Sequence, residues 1–154
     1  MDVQKIISTL NMQPHPEGGY YVETYRSQET LEGNQIVSVI YFLLAPNQVS
    51  YWHQIKQDEF WFHHQGAPLE VHCINEEGKA YILPLGPIGE GDCQPQQLVK
   101  AGEIFGSKMK GDSGYALVSC VVAPAFRFED FKLFTREELL ERFPNLESQI
   151  DLLK

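Results

Sequence analysis

At 154 residues the chain suits one domain, long enough to bury roughly 70% of the surface its unfolded form exposes without a disulfide or metal staple. Its 12 Lys and Arg stand against 21 Asp and Glu, a net charge of -9, which disfavours nucleic acid and anionic membrane surfaces as partners. Cys73, Cys93 and Cys120 are odd in number and lack a C-x-x-C pair, arguing against a disulfide framework or thiolate zinc site, and the longest apolar run, Val39 to Ala45, is too short to span a bilayer. A soluble cytoplasmic protein with reduced thiols is expected.

The first ten residues place Val3, Ile6, Ile7 and Leu10 at i, i+3, i+4 and i+7, with Asp2 as N-cap and Asn11 as stop, which predicts a short amphipathic helix. Pro16-Glu17-Gly18-Gly19 is a dense turn signal, and Tyr20 to Ser27 reads as a strand with Tyr20, Val22 and Thr24 on one face. Taken alone, Glu17, Glu23 and Arg26 read as solvated surface charge. A loop around Gly33 leads to Ile36 to Leu44, nearly continuous in apolar residues and expected to be buried on both faces.

Two strands are then predicted, meeting at Lys56 to Asp58. Alternation puts His53 and Ile55 on one face of the first and Glu59, Trp61 and His63 on one face of the second. Ionisable groups and an indole on a shared concave wall point to a wet ligand pocket, since an uncompensated His or Glu is destabilising on an apolar surface. Trp52 points the other way, into a core or an interface, and His64 and His72 read as outward and solvated.

Leu69 to Ile74, the turn Asn75 to Gly78 and the strand centred on Ala80 to Leu85 continue the hairpin pattern. Gly86 to Gln97 is too rich in Gly and Pro for regular structure, Leu98-Val99 is a short strand, and Lys108 to Gly114 reads as a polar exposed turn. Tyr115 to Ala123 is a buried strand, and Phe126, Phe128 and Phe131 suggest an extended edge or an aromatic clasp. Thr135 with Glu138 forms a capping box ahead of Leu139, Leu140 and Phe143, and helical spacing continues to the end. The elements predict an all-β antiparallel barrel or sandwich over about residues 20–134, with helical ends at 2–11 and 135–153.

The central stretch carries a partial motif. The first cupin signature is a Gly, five residues, His-x-His, three or four residues, Glu, six residues and Gly; here Asn47, His53-Gln54-Ile55, Glu59 and Gly66 occupy those spacings. Asn is tolerable at the first Gly because it adopts positive φ readily, but Ile55 removes a second imidazole. Of the second signature only Gly102 remains, with Phe105 where its His would stand. HPEGGYY at 15–21, ETYRS at 23–27, IYFLL at 40–44, Trp52-His53, Asp58-Glu59 and VAPAF at 122–126 resemble the small single-domain cupins of the fifth cupin family, a family of unknown function. That resemblance covers nearly the whole chain and implies a jelly-roll barrel, or antiparallel double-stranded β-helix, pairing as a homodimer.

A cupin metal site uses three imidazoles and a carboxylate, and this chain offers His53 and Glu59. Glu59 and His63 lie roughly 13 Å apart along a strand and cannot reach one ion without a bulge. No cofactor is favoured, although a divalent metal held by His53 and Glu59 is the alternative. Without metal, a His held by a Glu is fixed in one tautomer and poised as a general base, and a phenol could return the proton: Tyr41, Tyr20 and Tyr51 are the candidates. This resembles the metal-free sugar-nucleotide epimerases of the same superfamily. Trp61 would offer a platform for a ring, His63 a further contact, and Glu17, on a rigid turn beside the barrel mouth, could gate the site. The leading reading is a small-molecule-binding cupin acting as a metal-independent His/Glu isomerase or epimerase on a carbohydrate-like or carboxylated metabolite. A metal-dependent oxygenase or isomerase and a non-catalytic, storage-like cupin are the alternatives.

Overall fold

The computed structural model describes residues 2–111 and 114–154. Asp2 caps helix α1 (Val3–Leu10) by accepting a hydrogen bond from the Gln4 N–H, and Asn11 ends it in a left-handed conformation. Its apolar face packs Ile6 against Leu43 and Leu117 on the outside of a sheet.

The strands follow as β1 (Gln13–Pro14), β2 (Tyr20–Arg26), β3 (Thr30–Leu31), β4 (Asn34–Gln35), β5 (Ser38–Leu44), β6 (Val49–Gln54) and β7 (Asp58–Gly66). The second half supplies β8 (Leu69–Ile74), β9 (Ala80–Leu85), β10 (Gln96–Val99), β11 (Ile104–Met109), β12 (Ala116–Ala123) and β13 (Lys132–Leu133). They form one sheet in the order β1-β2-β5-β12-β7-β10 and a second in the order β13-β6-β11-β8-β9, with β3-β4 as a separate hairpin. Insertion of β12 between β5 and β7, and of β11 between β6 and β8, gives the crossovers of a jelly roll. Each strand sends alternate residues inward, so Leu44, Trp61, Val118 and Cys120 from one sheet meet Val71, Cys73 and Phe105 from the other.

At the C-terminus, Thr135 and Glu138 make the expected capping box on α2 (Arg136–Arg142), followed by α3 (Glu147–Ile150). Leu139, Phe143, Ile150 and Leu153 cover the outer face of the second sheet around Trp52, Ile74 and Ile104. Trp52 is core, its indole N–H donating to the Ile150 carbonyl at 3.0 Å.

Three local expectations change. Ile36 is exposed because the strand begins only at Ser38. His72 is buried: it sits edge-on to Trp52 and 3.3 Å from Glu70, because the C-terminal helices cover that face. Of the polar turn expected at Lys108 to Gly114, Lys108 and Met109 extend β11, where Met109 pairs with Leu69, while Asp112 and Ser113 lie outside the described residues. No helix among the described residues is long and apolar enough to cross a membrane.

Candidate functional site

A cavity of about 470 Å³ opens between the two sheets, a volume suited to a small metabolite. Alternation on β5 delivers Ser38, Ile40 and Phe42 to it, β7 delivers Glu59 and Trp61, and β12 delivers Cys120 and Val122. His53 and Ile55 enter from β6 and the residue just after it. Tyr21, Glu23 and Arg26 come from β2. Phe126, Arg127 and Phe128 stand at the mouth, where Phe126, Phe128 and Phe131 form the aromatic clasp with ring centroids 4.9–6.1 Å apart.

The chemistry gathers on His53, which is 2% exposed. Its Nδ1 lies 2.7 Å from the Tyr51 carbonyl, which can only accept, so Nδ1 carries a proton. Its Nε2 lies 2.8 Å from Glu17 Oε2. A short contact between ring nitrogen and carboxyl needs a proton between them, and an imidazolium facing a carboxylate supplies it. Burial alone would lower the His53 pKa, but the Glu17 carboxylate and the Tyr51 carbonyl together hold it above its ordinary value. Burial would likewise raise Glu17, yet the charge and hydrogen bond of His53, helped by His15, hold it below the usual carboxylate range. Phe105 and Phe131 flank the imidazole at 4.1 and 5.6 Å between ring centroids.

Glu59 is the opposite case. Burial and the Glu17 charge push it up to about 8, with His53 and Trp61 pulling back only in part, so its carboxyl is neutral at physiological pH. The sequence expectation that Glu59 would hold His53 is therefore corrected: the direct partner is Glu17, also read from sequence as solvated charge but 7% exposed.

Two backbone features bring Glu17 there. Around Glu17 the turn is closed by Gly18 N–H to His15 O at 3.0 Å, Glu17 N–H to His15 Nδ1 at 3.1 Å and His15 N–H to Gly19 O at 2.9 Å, with Gly18 and Gly19 at φ +100 and +76. On β6 a bulge sets Tyr51 and Trp52 opposite Gly106 of β11. Tyr51 gives its N–H to the Glu17 carbonyl at 2.6 Å and its own carbonyl to His53. Gly18→Ala is expected to cost about 1–3 kcal/mol from its positive φ, with a further penalty because the new Cβ would collide with the Val49 carbonyl. Urea unfolding should show the loss, accompanied by loss of the raised His53 pKa in NMR titration.

Other expected site residues lie elsewhere. Tyr41 and Tyr20 occupy the opposite face of their strands and pack with Leu43 and Leu117 beneath α1, because β5 alternation reserves the cavity for its even-numbered residues. The Tyr51 phenol is 42% exposed and outside the cavity; only its peptide groups serve the site. His63 lies two residues beyond Trp61, where β7 nears its end, and its Nε2 bonds the Ala67 carbonyl at 3.0 Å. Tyr21, Arg26, Cys120 and Phe126 were missed. For Tyr21 the signal was its alternation with Glu23 on β2, unassignable to a face until the sheet order was known.

A metal does not fit this donor set. Both His53 nitrogens are engaged, Ile55 and Phe105 stand at the two missing imidazole positions, and among the described residues no three His, Cys, Asp or Glu side chains are grouped to hold an ion.

A family model described as the cupin superfamily (DUF985) matches residues 4–134. The chain belongs to this cupin family. Among solved structures, this cupin is similar to protein SO0799 from Shewanella oneidensis at 38% identity, covering 100% of this chain and 98% of that one with a TM-score of 0.94. A hypothetical protein from Leishmania major is 34% identical over 99% of this cupin and 98% of its own length, with a TM-score of 0.91. Oxalate decarboxylase from Bacillus subtilis is 18% identical over 96% of this cupin and 38% of that chain, with a TM-score of 0.61, a likeness of fold alone. No curated protein matches significantly.

Proposed function

We propose that this cupin is a metal-independent isomerase that moves a proton between adjacent carbons of a small α-hydroxy carbonyl compound, such as a short sugar. The observation that carries the reading is one cavity holding two carboxyl groups driven apart: Glu17 kept ionised by His53, and Glu59 kept neutral. Such divergence assigns a base and an acid. Glu17 takes the C–H proton while its other oxygen stays on the His53 N–H. The C–H electron pair becomes the new C=C bond, and the carbonyl π pair moves to oxygen, which takes the Glu59 proton to give a neutral enediol. Glu17 then returns its proton to the neighbouring carbon, and the second hydroxyl gives its proton back to Glu59. One base and one acid suffice for this transfer, whereas epimerisation needs a proton donor on the opposite face. The same reading takes the protein as a cytoplasmic homodimer, which sedimentation velocity checks.

The test is a panel of trioses, tetroses and pentoses incubated in D₂O and followed by proton NMR. Deuterium should enter at the carbon beside the carbonyl, Glu17→Gln should abolish the exchange, and Glu59→Gln should slow it by about 10²–10⁴-fold. The wild-type rate should fall as pH rises past about 8, where Glu59 ionises. Full exchange by Glu17→Gln would rule the mechanism out, and tight binding of a sugar without exchange would favour a passive binding protein.

A further inference from the structure

Among the described residues one buried side-chain polar atom has no hydrogen-bond partner, the indole Nε1 of Trp61. Buried indole N–H groups normally find an acceptor, and the other tryptophan obeys: Trp52 donates to Ile150. Trp61 is 1% exposed, lines the cavity, and is held edge-on by Phe42 and Phe105 at 6.0 and 6.4 Å between ring centroids. Glu59 precedes it by two residues on the same face of β7. Across the ladder on β12 the residues paired with these two are Cys120 and Val122, a thiol and an isopropyl group, and neither is a good acceptor. The one polar group that draws on this fixed donor is the Glu59 carboxyl two residues away, and the two do not close a hydrogen bond of normal geometry.

We infer that Trp61 N–H and the Glu59 carboxyl form a two-donor cradle for a single ligand oxygen, the carbonyl oxygen that becomes the enediol hydroxyl, so that Trp61 is a further substrate-contacting residue. This rests on the isomerase reading for the identity of that oxygen. The cradle requires a substrate whose reactive carbonyl is small and unhindered enough to reach a wall flanked by Phe42 and Phe105. It selects a planar hydroxy-carbonyl group and offers no donor geometry for a saturated sugar ring stacked on the indole. Because the N–H is fixed in position before the ligand arrives, its bond to oxygen strengthens as negative charge develops there.

The probe is glycolohydroxamate, a planar mimic of the enediolate, added to protein labelled with ¹⁵N at the indoles. The Trp61 N–H resonance should move downfield and exchange more slowly with solvent, while the Trp52 resonance, already bonded to a carbonyl, stays in place. An unmoved Trp61 resonance at the solubility limit of the probe, or equal movement of both, overturns the inference. For the hydroxy carbonyl that turns over, Trp61→Phe should lower kcat by about 10²-fold with KM nearly unchanged; an unchanged kcat also overturns it. A Trp61 shift with no deuterium exchange in any sugar keeps the donor cradle and removes the isomerase reading. Exchange with a still Trp61 signal does the reverse.

Discussion

Glu17→Ala is expected to be the most damaging single substitution in the cavity, lowering stability by about 3–5 kcal/mol and abolishing proton transfer. The carboxylate is the direct partner of a 2%-exposed imidazolium, and removing it leaves that charge buried with only the Tyr51 carbonyl to answer it. The loss should be largest near pH 6, where both partners are charged, and smaller in alkali, where the orphaned imidazole sheds its proton. Urea unfolding of Glu17→Ala, His53→Phe and the double variant forms the decisive cycle. The double variant should be more stable than Glu17→Ala, since replacing both partners removes the uncompensated charge. Additive losses would mean that the two side chains do not form a pair in solution.

The second large effect is on stability as a function of pH. His53 has a folded pKa raised above 6.5, so its contribution is complete below pH 6.5 and is lost as pH rises through the folded value. Glu17 has a folded pKa below 4.5, so its contribution is present above pH 4.5 and is lost as pH falls through the folded value. Glu59 runs the other way from an ordinary carboxylate: raised from 4.5 to about 8, it destabilises the fold progressively across that interval. At about 1.4 kcal/mol per unit, the full cost is on the order of 5 kcal/mol once pH exceeds 8. The three together place maximal stability near pH 5 and predict a falling Tm from there to pH 9. Glu59→Gln should match wild type near pH 4 and exceed it by several kcal/mol at pH 9. Parallel Tm curves for the two proteins would mean that the carboxyl is solvated.

The barrel was legible in the sequence because its signals are local and repeated: period-2 alternation, Gly-rich turns, a Thr135–Glu138 capping box and a run of i, i+3, i+4 positions in α1. The site was legible only along single strands. His53, Glu59 and Trp61 share a cavity because alternation fixes their faces, and those faces are close in the chain. The partner of His53 was not readable, because Glu17 reaches it from a turn 36 positions earlier, and that approach depends on a bulge in β6 that leaves no mark in composition. The phenol candidates failed for a related reason. Tyr20 and Tyr41 sit on strands whose two faces the sequence does not tell apart, and which face looks inward is decided by α1 covering the other.

Residue 51 couples the two halves of the ion pair through a single peptide unit on each side, its amide fastened to the turn and its carbonyl to the imidazole. The base, its imidazolium partner and the strand register are thus one mechanical unit. A transplant of the loop alone into another barrel would arrive without its anchor, and a laboratory lineage selected for altered chemistry should accumulate changes at the arginine-flanked rim while residues 15–19 and 50–53 stay nearly invariant.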